Sequence, residues 1–292
     1  MNNLKLPAEV EINQLQILSN SHINLDQEFD IMDRSRGGRK RKMSLEMCKQ
    51  AINYRIHYDH ETWIGTYRSM VDHLDYSMPT YGNFMVSIKK IMKFLLFQIQ
   101  RLLLINRLEF ASQKDKISYV DSTPLPVCKL IRSSRHKTMS GVASYSKSTT
   151  GWYYDNKLHV ACNYRNSRAI HLEFSTNAFH DRKFLAKIMQ DKNLFYQSGT
   201  MFVADKGYQS IAMQELAITT GNYLLTGKRK SKKETTLASW FDIYLLHNRA
   251  KIETLFSNFK CNYFGDTTRA RSVLGYILNY IVATFGLVSG LK

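Results

Sequence analysis

Ile117-Ser118-Tyr119-Val120-Asp121 is a short, mainly apolar run that ends on a carboxylate, and Met201-Phe202-Val203-Ala204-Asp205 ends the same way. Runs of this length and composition, bounded by turn residues, read as strands. Asp121 is followed by Ser122-Thr-Pro-Leu-Pro126, whose two prolines are expected to end pairing and leave Asp121 at the rim of a sheet. Asp205 is followed by Lys206-Gly207-Tyr208, where glycine permits a tight turn. If the two strands are neighbours, their terminal carboxylates lie within a few ångströms. The pair would then repel, and one acid would be pushed towards protonation unless a cation intervened.

Around these runs lie three more of the same kind, Leu158–Cys162, Ala169–Phe174 and Tyr223–Thr226, with helical patterns at Asp181–Gln190 and Ser210–Thr220. Three strands followed by helix, strand, helix and strand predict an α/β fold with a mixed five-stranded sheet flanked by helices. From about Ala238 the pattern is helical again. Here Leu245, Ile252, Phe256 and Phe259 form an apolar stripe, while Arg249, Glu253 and Lys260 recur at i+4 and i+7 and are expected on one face. An Arg–Glu pair at i,i+4 is also an ordinary surface feature, worth only tenths of a kcal/mol.

The N-terminal part reads as a mainly helical domain over residues 1–115, ahead of a catalytic domain over 116–292. Ser44 is a candidate N-cap for a helix with Met47, Ala51, Tyr54 and Ile56 among its apolar positions. A second helix runs from about Glu61 to Leu74, and a third follows the turn at Asp75–Thr80, with Thr80 a candidate cap. Helices around so short a turn have the outline of a helix-turn-helix, a pattern that ordinary packing also produces. Arg34-Ser-Arg-Gly-Gly-Arg-Lys-Arg-Lys42, which contains Arg39 and Arg41, reads equally as a solvated linker or as an arm tracking DNA phosphates. Gly227-Lys228-Arg229-Lys230-Ser-Lys-Lys233 is a basic loop with the same two readings.

Composition narrows the partner. The 292 residues carry Lys+Arg 41 against Asp+Glu 24, a formal net charge of +17, which calls for a polyanion, nucleic acid before an anionic membrane surface. Cys48, Cys128, Cys162 and Cys261 are far apart, so neither a zinc finger nor a disulfide framework is indicated. The first fourteen residues lack the apolar core of a signal peptide. Val273–Leu291 is uncharged and contains Gly286-x-x-x-Gly290, yet Asn279, Ser289 and its glycines dilute it, so a buried helix is expected rather than a membrane span. No His-Glu-x-x-His, P-loop or Gly-x-Gly-x-x-Gly motif occurs.

Hard divalent ions suit the acids singled out here. Mg²⁺ takes oxygen ligands and binds through one or two carboxylates plus phosphates, and a third acid on a packed helix would complete a two-ion site. Other acids read more plainly: Asp155 in a turn and Glu173 in a strand as surface charges, and Asp181, after His180, as a first-turn helix residue without a direct metal role.

Several pieces occur in the order found in one family: Val120-Asp121-Ser122, Gly151-Trp-Tyr-Tyr-Asp-Asn-Lys157-Leu-His159, Asn177-Ala-Phe-His180-Asp181, Ala204-Asp205-Lys206-Gly207-Tyr208, and Arg249-x3-Glu253-x6-Lys260. With them the chain resembles bacterial insertion-sequence transposases of the DDE type, most of all the insertion sequence 982 family. The resemblance implies an RNase H-like core in which Asp121, Asp205 and Glu253 hold Mg²⁺, with Mn²⁺ as a substitute, and Arg249 and Lys260 lie near DNA. Relatives often carry Tyr three residues before that arginine, where this chain has Leu246. The expected activity is metal-dependent cleavage at the element's ends and strand transfer to target DNA. The alternatives are a nuclease that cuts without joining and a DNA-binding protein that only keeps the fold. Expected phosphate contacts are Lys206, Arg249, Lys260, Lys228, Arg229, Lys230, Arg39 and Arg41. Expected partners are double-stranded DNA, as terminal inverted repeats and target, and at least one further copy of the chain, in the bacterial cytoplasm at the nucleoid and with no membrane partner.

Overall fold

The computed structural model describes residues 43–58, 62–73, 77–148, 151–176, 180–191, 199–227, 239–266 and 270–290. The tract at 34–42 and the loop at 228–238 lie outside them. In chain order the regular elements are helices α1 (Leu45–His57), α2 (Trp63–His73), α3 (Tyr81–Lys90) and α4 (Met92–Ala111), then strand β1 (Ile117–Pro126). Next come β2 (Ser144–Ser148), β3 (Gly151–Asn163), β4 (Ala169–Thr176), α5 (Asp181–Gln190), β5 (Met201–Ala204), α6 (Ile211–Thr219) and β6 (Tyr223–Thr226). Helices α7 (Trp240–His247), α8 (Ala250–Ser257) and α9 (Val273–Ser289) close the fold.

The sheet is mixed, as expected. Parallel β1, β5 and β6 lie side by side, and β3 runs antiparallel along the other edge of β1. The long β3 carries two partners on its far edge, β2 along its first half and β4 along its second. The arrangement is RNase H-like, with helices on both faces and a helical N-terminal region. β2, Ser-Tyr-Ser-Lys-Ser, is an addition to the five expected strands. It is polar and carries an exposed Tyr145, so no apolar alternation announces it.

The two prolines do not end β1. It pairs with β3 as far as Pro126 opposite Asp155. The Val127 N–H donates to the Tyr154 carbonyl, so by strand alternation the positions of Pro126 and Pro124 turn their missing N–H away from β3. On that other edge β5 has already ended, Val120 opposite Ala204 being the last pair. A proline costs no ladder hydrogen bond on a free edge.

Alternation sends the residues of β1 and β5 into two cores. Val120, Phe202 and Ala204 pack with Phe184, Leu185 and Ile188 of α5 and Met213 of α6. Tyr119 and Val203 face the other way, towards Leu245, Ile252 and Phe256 of α7 and α8. Full burial of such side chains contributes roughly 1.5–3 kcal/mol each. The N-terminal helices join this second core. Arg55 of α1, buried and lying over the Trp63 ring, donates to the Asn279 side chain of α9 at 2.6 Å. Asn106 and Arg107 of α4 donate to the Ala169 and Ile170 carbonyls of β4. The Ser44 hydroxyl accepts from the Met47 N–H, as a cap should, whereas Thr80 stands at the cap position of α3 without a side-chain hydrogen bond. The uncharged C-terminal stretch is the buried core helix α9, and among the described residues no helix is long and apolar enough to cross a membrane.

Candidate active site

The site begins where the pairing of β1 and β5 stops. Asp121 and Asp205 each follow the last paired residue of a parallel register, so they emerge side by side on the face covered by α7 and α8. Asp121 is the more enclosed. Burial pushes its carboxyl above the usual range; the Ser122 N–H (2.8 Å to Oδ1) and the Arg249 guanidinium pull it down, and the Asp205 charge pushes it up. Asp205 is exposed and opens the turn Lys206–Tyr208, in which the Tyr208 N–H donates to the Asp205 carbonyl.

Glu253 comes from α8. The chain breaks between α7 and α8 at Asn248–Arg249, and this break aims Arg249 back at the strands. Its Nη1 reaches Asp121 Oδ2 at 2.5 Å and its Nη2 reaches Glu253 Oε1 at 3.5 Å. The guanidinium therefore spans the strand acid and the helix acid. Among the described residues no group of three His, Cys, Asp or Glu side chains is arranged to hold a metal ion. The aspartates are brought together, while Glu253 reaches Asp121 through Arg249.

The donor chemistry is nevertheless that of a hard cation. Two carboxylates on adjacent strands repel, and all the donors are oxygens. The Tyr208 hydroxyl is buried with no hydrogen-bond partner among the described residues. Burial raises its pKa well above the ordinary value, and the charges of Asp181, Asp121 and Asp205 raise it further while Arg249 lowers it. The carboxylates thus act together on this hydroxyl, and Arg249 offsets the one at Asp121.

The other expected residues fall in different places. Lys206 is exposed in the turn after Asp205, and its stem lies over Gly227. Lys260 sits in a π-helical turn, Asn258–Asn262, that follows α8. The wider turn changes the helix register, and Lys260 lies among Asp266, Tyr153, Cys261 and Asp155; burial lowers its pKa and these neighbours raise it. Asp155 is neither in a turn nor on the surface: it is a buried residue of β3, because Trp-Tyr-Tyr-Asp-Asn continues the strand begun at Gly151. Lys228, Arg229, Lys230, Arg39 and Arg41 lie outside the described residues.

A second polar cluster, on the opposite face of β1, was missed from the sequence. Asp181 Oδ1 accepts from the Ser122 hydroxyl (2.7 Å) and from Lys157 (3.1 Å), with His159 Nδ1 at 3.6 Å. Burial lowers the His159 pKa to about 4, with Asp181 raising it and Lys157 lowering it. Lys157 and His159 alternate along β3, and His159 faces Ser122 in the register. The spacing Lys-x-His was legible, but the pairing that gives it a purpose was not.

Residues 111–273 match the family model described as a transposase DDE domain. No curated protein matches the chain. Four chains of solved structures match. One belongs to the cryo-EM structure of a piggyBac transposase synaptic complex with hairpin DNA, at 10% identity and a TM-score of 0.43, covering 91% of this chain and 71% of that one.

Proposed function

The chain belongs to the transposase DDE domain family, and we propose that it is a metal-dependent DNA transposase of the insertion-sequence type, closest to the insertion sequence 982 family, with Asp121, Asp205 and Glu253 as its catalytic acids. The observation that carries this reading is the parallel pairing of β1 and β5, which sets the two aspartates side by side beneath the helix bearing Glu253.

In this reading Asp121 and Asp205 hold Mg²⁺ or Mn²⁺, and Glu253 joins them. When bound, such ions activate the attacking oxygen and offset charge on the leaving one. Arg249 keeps the acids in balance: its single positive charge offsets Asp121 and is shared more distantly with Glu253, and a DNA phosphate entering the site offers it an alternative anion. Release of Glu253 from Arg249 then frees the third carboxylate. Lys206 stands beside Asp205 to receive a neighbouring phosphate, and Lys260, Lys228, Arg229, Lys230, Arg39 and Arg41 extend the contact to flanking duplex. The products are a 3′-hydroxyl at the element's end and, after its attack on target DNA, a joined strand. Two ends must be handled together, so the working form is at least a dimer, acting at the nucleoid in a bacterial cytoplasm.

The test is a strand-cleavage and joining assay on the DNA ends that flank the coding sequence, with Mg²⁺ or Mn²⁺ and with Asp205→Asn as control. Wild type is expected to cut and join, and the variant to bind the same DNA without cutting. Cleavage retained in Asp205→Asn removes that residue from the site. Cutting without joining makes the chain a nuclease.

A further inference from the structure

The ladder between β1 and β5 ends at Val120 and Ala204, one residue short of both aspartates. The pairing brings Asp121 and Asp205 to neighbouring positions, and Asp121 stays paired with β3 opposite Val160, but Asp205 lies past its ladder, so its setting against Asp121 depends on further contacts. Two successive side chains at the start of α5 reach both segments. Asp181 Oδ1 accepts from the hydroxyl of Ser122 (2.7 Å), and the Ser122 backbone N–H donates to Asp121 (2.8 Å). Arg182 donates from Nε to the Gly207 carbonyl (2.9 Å) and from Nη2 to the Gln209 carbonyl (3.2 Å), gripping the turn that opens at Asp205. That turn is tied to its own start, with the Tyr208 N–H on the Asp205 carbonyl and the Gln209 N–H on the Lys206 carbonyl.

A brace needs a fixed base, and α5 has one. Phe184, Leu185, Ile188 and Met189 are buried beneath the sheet. The grip on β1 is backed from below: Lys157 also donates to Asp181, and the His159 ring stacks on Phe184 at 5.1 Å while its Nε2 meets the Ser175 hydroxyl at 2.6 Å. We infer that Asp181 and Arg182 form a brace that sets the separation and orientation of Asp121 and Asp205. They act as positioning residues, and their bearing on catalysis rests on the transposase reading above. Outer contacts of this kind cost about 10–100-fold in metal affinity or activity when lost.

The experiment uses the full chain with Arg182→Ala, Arg182→Lys and Asp181→Asn. Hydrogen exchange is followed on metal-free protein, and the Mn²⁺ concentration for half-maximal cleavage and the DNA Kd are measured on end DNA. Arg182→Ala is expected to speed exchange across 203–210, and Asp181→Asn across 119–124, with α9 unchanged as the control for global loosening. The half-maximal Mn²⁺ concentration is expected to rise about 10–100-fold at unchanged DNA Kd. Arg182→Lys, which can still reach one carbonyl, is expected to recover part of the loss. An unchanged Mn²⁺ requirement overturns the positioning role even if stability falls, and unchanged exchange overturns the brace itself. If the wild-type chain does not cleave, the transposase reading fails, and exchange on metal-free protein alone decides whether the brace exists.

Discussion

Asp155 lies in β3 with its carboxyl fully buried, and burial pushes its pKa up to about 6. The Ser146 hydroxyl reaches both carboxyl oxygens at 3.3 Å, and the charges of Lys157 and Lys260 oppose the shift without cancelling it. The unfolded chain releases this proton near the ordinary carboxyl value of 3.8, while the folded chain keeps it to about 6. Between those values the folded state holds more protons, so this group's contribution to stability falls as pH rises. Asp155→Asn cannot ionise. It is expected to flatten that fall and to stabilise the chain at pH 7 by on the order of 1–2 kcal/mol. Urea melts of both proteins at steps from pH 4 to pH 7 check this; curves that stay parallel across the window sink it. Asp121 and Asp205 were legible from sequence because each directly follows a short apolar run. Asp155 was not, because Asp155-Asn156 has the composition of a turn and only pairing with β1 and β2 shows that the strand runs through it.

Elements follow the same division between local pattern and tertiary contact. The five expected strands and the helices between them are all present, since each has one apolar face to bury, but β1 runs on to Pro126 and β3 starts as early as Gly151. The helix carrying Glu253 was expected to continue to Lys260, and the break at Asn248–Arg249 and the π-helical turn at Asn258–Asn262 were not visible. The π-helical turn depends on what the chain meets after α8. Tyr263 folds back on α9 so closely that a Cβ on Gly286 would lie 2.5 Å from its ring, and one on Gly265 would lie 2.0 Å from Phe259. Gly286-x-x-x-Gly290 is thus a notch for a tyrosine, followed by a left-handed helix end at Gly290 (φ +67°). Gly286→Ala forces the Tyr263 ring outward and is expected to cost about 1–3 kcal/mol, the range for overpacked cores. Thermal melts give the magnitude. A Tyr263→Ala background should relieve most of it; a loss undiminished in that background rules out the notch.

At the scale of the molecule the excess of cations was plain from composition, but their distribution was not. Each lysine or arginine that neutralises a DNA phosphate steepens the fall of log K with log salt by about 0.9. The cations differ in how far the fold has already answered them. Lys206 is exposed beside Asp205, whereas Lys260 is half-buried among carboxylates, Asp155 and Asp266 both favouring its charged form. Lys206→Ala should therefore lower the salt slope by about one on duplex DNA, and Lys260→Ala by less. Replacing Lys228, Arg229 and Lys230 together should lower it by about two to three if the loop follows the backbone, and Arg39 with Arg41 by about two. Fluorescence titrations from low to high salt separate these cases, because a residue that only shapes the fold shifts affinity at every salt concentration and leaves the slope alone. A parallel shift for Lys260→Ala makes it a strut for the turn after α8. A slope unchanged in all four variants assigns the net charge of +17 to solubility rather than to DNA.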